Sequence, residues 1–79
     1  MTADWMPRDQ ILVPVTEAEH EAVRIAQRAL DMEPTGIPDE TLTTRLAGIQ
    51  RLFRLPVSGV LDRDTAALLD RLRPPGTRE

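Results

Sequence analysis

The chain predicts an all-α fold, a small three-helix bundle preceded by an extended N-terminal arm. Three observations carry this. Apolar residues recur at helical spacing in three separate stretches. Each stretch opens on a residue suited to cap a helix: Thr16, Asp39 and Asp62. No tract outside them is long enough to form a sheet that stands alone. The 79 residues include no cysteine, one Trp and one Phe. The core is therefore aliphatic, with neither a disulfide nor a thiolate-zinc staple. A chain this short buries only about 60% of its unfolded surface, which allows one domain of modest stability.

Residues 1–15 read as the arm. Pro7 and Pro14 oppose helix, and Ile11, Leu12 and Val13 form a brief β-prone run. Trp5, Ile11, Leu12 and Val13 are too apolar for a solvated linker. Two roles stay open for them. They pack back on the bundle and enlarge its core, or they dock on other protein subunits by strand addition with Trp5 as an anchor.

Residues 16–73 read as the helical domain. Thr16 and Glu19 have the spacing of a capping box. Ala22, Val23, Ala26, Ala29 and Leu30 then make one apolar stripe, closed by Pro34 and Gly36. Asp39 caps the second helix, whose stripe is Leu42, Leu46, Ile49 and Phe53. Pro56 and Gly59 break the chain, and Asp62 caps the third helix, with Leu68, Leu69 and Leu72 as its apolar face. Residues 74–79 read as a flexible tail.

The second and third helices share an internal repeat. Gly36-x-x-Asp39 recurs as Gly59-x-x-Asp62, and the same offset pairs Leu42 with Thr65, Leu46 with Leu69 and Ile49 with Leu72. Each glycine stands where the backbone needs positive φ before a cap. Gln27 and Gln50 flank the stripes and suit buried amides that bond a neighbouring loop. Thr65 suits a similar task.

Composition narrows function. Ten arginines stand against thirteen acids, for a net charge of −3, and a nucleic-acid module shows the opposite balance. The long connection before Asp62 and the acids Asp62 and Asp64 also argue against a helix-turn-helix reader. No apolar run is long enough for a membrane span. The first residues lack the basic-then-apolar order of a secretory signal. One histidine and no cysteine leave no nucleophile–base pair, so neither an enzyme nor a cofactor is expected. His20 lies off the line shared by Glu17 and Glu21, so it reads as an exposed residue without a task, and no metal is expected.

Three pieces of the chain fall into a pattern. Val23, Ala26, Gln27 and Leu30 form the first. Gly36, Asp39, Leu46 and Gln50 form the second. Leu55, Pro56, Val57, Ser58, Gly59, Asp62, Thr65 and Leu68 form the third. Over residues 23–72 this resembles the three-helix peptidoglycan-binding domain attached to many bacterial cell-wall hydrolases. The pattern departs at Ala26 for a leucine, Leu42 for a threonine, Arg45 for a small residue, Ile49 for an aromatic, Arg54 for a glycine and Ser58 for an aspartate.

The resemblance implies a non-catalytic module that binds peptidoglycan; with neither a hydrolase nor a secretory signal beside it, a bacteriophage particle or lysis system is the expected carrier. It would place the chain at a cell wall or virion surface, and otherwise the chain is expected in the cytoplasm. Gly36, Asp39, Gln50, Gly59, Asp62 and Thr65 are then structural. Stem peptides offer carboxylates that arginines bind well, and Arg51, Arg54, Ser58 and Arg63 near the repeat junction are the candidate ligand contacts. The alternative is a structural or assembly protein, such as a virion component, that reuses the fold and holds partner subunits through its arm.

Overall fold

The computed structural model describes residues 4–72. The expectation for the tail at 74–79 lies outside them. The element order is β1 (Gln10–Ile11), α1 (Glu17–Ala29), α2 (Glu40–Leu52), β2 (Leu61–Asp62) and α3 (Arg63–Leu72). Three helices are present, as the stripes require. The fold is not purely helical, however. β1 pairs antiparallel with β2, with Gln10 opposite Asp62 and Ile11 opposite Leu61. Strands this short are too brief to register as a pattern, and they pair only because the bundle brings them together.

The repeat extends to all three helices. α1, α2 and α3 begin at Glu17, Glu40 and Arg63, which are evenly spaced along the chain. Thr16, Asp39 and Asp62 cap them. Their side-chain oxygens accept from Glu19 N at 3.1 Å, Leu42 N at 2.9 Å and Thr65 N at 2.8 Å. Asp62 thus ends β2 and opens α3 at once. The residue receiving each cap, Glu19, Leu42 or Thr65, is buried. One turn later in each helix comes a core residue: Val23, Leu46 or Leu69. Only the first unit escapes notice in the sequence, because Thr replaces Asp at its cap and no glycine precedes it.

Both α1 and α2 end in the same way. Met32 N donates to Gln27 O at 2.8 Å and Asp31 N to Arg28 O at 3.0 Å; Leu55 N donates to Gln50 O at 2.8 Å and Arg54 N to Arg51 O at 3.2 Å. These paired bonds are the Schellman closure, which needs one residue in the left-handed region. Asp31 and Arg54 fill it, with φ of 62° and 63°. Arg54 is the position where the resembled pattern has glycine, and the backbone conformation accounts for that preference.

The core holds Met6, Ile11, Ala22, Val23, Ala26, Leu42, Leu46, Leu61, Ala66 and Leu69. Met6 and Ile11 belong to the arm, so the arm packs back on the bundle. Trp5 packs against the same cluster, and its Nε1–H donates to Asp70 of α3 at 3.2 Å. Leu12, Val13 and Val15 stay in water, at 62%, 72% and 76% exposure. Three expected stripe residues move outward. Phe53 is the C-cap of α2 and Gln50 takes the inward position instead; Leu68 is only half-buried on the outer side of α3 and Leu72 is exposed on its flank, the inward line being Thr65, Ala66 and Leu69.

Candidate functional site

The candidate site is a groove beside two loops, and each loop is held by one glutamine. After α1 the chain returns along that helix as residues 35–37. Gln27 Oε1 accepts from Gly36 N at 2.8 Å, and Nε2 donates to Ile37 O and Thr35 Oγ1, both at 3.1 Å. After α2 the chain returns as residues 58–60. Gln50 Oε1 accepts from Ser58 N and Gly59 N at 2.9 Å, and Nε2 donates to Val60 O at 3.0 Å and Thr65 Oγ1 at 2.8 Å. Four bonds match the two hydrogens and two lone pairs of an amide. Ser58 Oγ lies farther off, at 3.4 Å. Both glutamines are buried, and no buried side-chain nitrogen or oxygen among the described residues lacks a partner.

The glycines let these loops lie close to the helices behind them. Gly36 and Gly59 have φ of 79° and 73°. A Cβ on Gly36 would come within 3.3 Å of His20 O, and one on Gly59 within 3.4 Å of Thr43 O. His20 and Thr43 are themselves equivalent positions of the repeat. His20 is not idle. It is half-buried, and its Nδ1–H donates to Gly36 O at 2.9 Å. The helix surface under a repeat loop gives no such sign in sequence, because the contact joins residues far apart in the chain.

Beside the second loop runs a cleft of about 110 Å³ lined by Val23, Leu42 and Leu46 of the core, Ile11 and Leu12 of the arm, Pro38, and Ser58, Gly59 and Val60. Leu12, Pro38 and Thr43 line both this cleft and a wider, shallower groove that continues past Val13, Pro14, His20 and Ile37. Most lining side chains are apolar, and the polar ones are Thr43, Ser58 and His20. Such a surface suits the CH faces of sugars or short peptides, with few polar groups to orient them. Pro38, Thr43, Ile37 and Val60 carry no signal in the sequence, since only the tertiary packing brings them around these grooves.

The candidate ligand contacts do not gather at one place. Ser58 lines the cleft, and its Oγ also accepts from Val60 N at 3.2 Å. Arg63 opens α3 and pairs with Asp9 of the arm at 2.8 Å. Arg51 is exposed near the end of α2 and Arg54 just beyond it. None of these three arginines lines the cleft or its continuation. Among the arm residues, Ile11 lies in the core and Trp5 is half-buried, whereas Leu12 and Val13 line the grooves.

Electrostatics is most pronounced at the start of α1. Glu19 Oε1 accepts from Val15 N at 2.6 Å and Thr16 N at 3.0 Å, and Oε2 accepts from Arg8 at 2.9 Å. The two backbone amides, then Arg8, lower its pKa from 4.5 to about 2. The carboxylate ties the arm to α1. On the outer face of α1, Arg24 bonds Glu21 at 2.8 Å and also Glu17. This lowers the pKa of Glu21 and raises that of Arg24. Among the described residues no three His, Cys, Asp or Glu side chains gather as a metal site, and no helix is long and apolar enough to cross a membrane.

No protein-family model, curated protein or solved structure matches the chain.

Proposed function

We propose that the chain is a non-catalytic module that binds peptidoglycan, as a part of a bacteriophage particle or lysis system that contacts a bacterial wall. One observation carries the reading. The residues of the resemblance, Gln27, Gly36, Asp39, Gln50, Gly59, Asp62 and Thr65, are the ones that anchor two like loops, and a groove lined by Ser58, Gly59 and Val60 of the second loop continues to Ile37 of the first. A ligand in the groove would meet mostly apolar side chains, with Thr43, Ser58 and His20 as the polar lining residues. Arg51 and Arg54, exposed at the end of α2 and outside the groove, would be the cations for stem-peptide carboxylates, whereas Arg63 is engaged by Asp9.

Co-sedimentation with purified sacculi tests it. The chain is expected in the pellet, and Arg51→Ala with Arg54→Ala is expected to shift it toward the supernatant. Wild-type protein left wholly in the supernatant overturns the reading.

A second reading has its own support. Leu12, Val13 and Val15 are highly exposed on the arm, as befits an assembly protein holding partner subunits. Removing residues 1–15 is a poor test, because Met6 and Ile11 are in the core. Leu12→Ser with Val13→Ser leaves the core intact. Loss of co-assembly with the subunits that purify with the chain favours this reading, and unchanged co-assembly removes it.

A further inference from the structure

The outward face of α3 carries a pattern that fits a second copy of itself. Thr65, Ala66 and Leu69 turn α3 toward the core, and Trp5 of the arm holds Asp70. The opposite face presents Asp64, Ala67, Leu68 and Arg71. These side chains, with Phe53 and Leu55, line an open groove of about 300 Å³. Phe53 is the chain's single phenylalanine and is 45% exposed.

Asp64 and Arg71 stand two turns apart, hence about 10 Å along one line of the helix. Neither forms an ion pair within the described residues. They lie at opposite ends of the apolar middle made by Ala67 and Leu68. An acid at one end and a base at the other make the face self-complementary under a two-fold axis. With two α3 helices antiparallel, the axis passes between Ala67 and Leu68. Each Asp64 then meets the other copy's Arg71, and the small Ala67 allows close approach. The two Phe53 rings cover the flanks. A two-fold interface requires this property, in which one patch recognises itself.

We infer that this face is the interface of a weak, reversible homodimer in which α3 packs antiparallel on its copy through two Asp64–Arg71 pairs. It stands apart from the reading as a wall module, because it uses neither the cleft nor the loops that flank it. An interface built around one short helix is below the standard size, so association is expected only at high concentration.

Sedimentation equilibrium on the full chain, from about 10 µM to about 1 mM, tests this. The mean mass is expected to rise from 8.9 kDa toward twice that value. Asp64→Arg alone, or Arg71→Asp alone, sets like charges against each other and raises the dissociation constant by about tenfold or more. Mixing the two single variants is expected to restore association, since each supplies the charge that the other lacks. The double variant carrying both changes is expected to restore it as well. Circular dichroism on each variant checks that the helices are kept. A constant monomer mass overturns the inference. So does association that ignores either single change, or a mixture that stays monomeric.

Discussion

Gln50 on α2 donates to the hydroxyl of Thr65 on α3 at 2.8 Å, and the bond joins two repeat units inside the core. Gln27, the equivalent residue one repeat earlier, holds its own loop in the same manner. At the place corresponding to Thr65 it has Leu42. The loops are thus alike, but only the second glutamine bonds the helix that follows its loop.

Replacing Gln50 by Leu strands Ser58 N, Gly59 N, Val60 O and the Thr65 hydroxyl. The Gly59 amide and the Thr65 hydroxyl are the two buried ones, and a buried group left unpaired costs about 1–3 kcal/mol, so a total of about 2–6 kcal/mol is expected. In a domain of this size, a loss of about 1 kcal/mol lowers Tm by about 4–8 °C. Thr65→Val alone costs about 1–2 kcal/mol. In a double-mutant cycle, Gln50→Leu and Thr65→Val are expected to couple by about 1 kcal/mol, whereas Gln27→Leu and Thr65→Val add. Thermal melts of the two cycles decide it, and simple additivity in the first pair would count against the bond.

Arg54 and Gly59 predict opposite signs. Arg54 has φ of 63° with a full side chain, and Arg54→Gly is expected to stabilise by about 0.5–1 kcal/mol. Gly59→Ala meets both a φ of 73° and Thr43 Cγ2 at 2.8 Å, and is expected to destabilise by about 1–3 kcal/mol. Adding Thr43→Ser removes Cγ2 and recovers part of that loss, but leaves the backbone strain. Denaturant midpoints measure all three, and a destabilised Arg54→Gly would contradict the strain at that position.

Glu19 predicts a pH window. Its folded pKa, about 2, is below the ordinary 4.5. A depressed acid stabilises fully above its unfolded value and loses that contribution as pH falls through the folded one. Urea midpoints should therefore hold above pH 4.5 and decline toward pH 2. Glu19→Gln should start lower at neutral pH and approach the wild type at the acid end of the window. Curves that run parallel across the window would rule out this role.

The arm divides into core and surface residues that alternate unpredictably by sequence. Ile11→Ala removes a core side chain and is expected to cost about 2–4 kcal/mol. Val13→Ala alters an exposed residue and is expected to stay within about 0.5 kcal/mol. Equal small effects at both would mean that the arm does not pack on the bundle in solution.

Much of the skeleton is legible without coordinates. Thr16, Asp39 and Asp62 announce the helix starts because capping is local, resting on side chains and amides within one turn. Gly36 and Gly59 announce left-handed turns for an equally local reason. Gln27 and Gln50 can be read as buried amides holding a loop, since a polar residue beside an apolar stripe must find a partner. The candidate site is less legible. Ser58 is recognisable, but Pro38, Thr43 and Val60 become groove walls only when the arm, the start of α2 and the second loop come together. Arg51, Arg54 and Arg63 look clustered by number, yet Arg63 faces the arm while the others stand at the end of α2.

The amino-acid sequence by itself determines three capped helices and the loops that close the first two, because each rests on contacts within one turn or one return loop. Tertiary structure alone decides the rest. It selects Ile11 for the core and leaves Leu12 and Val13 in water, since β1 pairs with β2 from the far end of the chain. It turns Phe53 outward because Gln50 takes the inward position. It also sets the first helix in register with the other two, a likeness hidden by its different cap and revealed by equivalent burial at Glu19, Leu42 and Thr65.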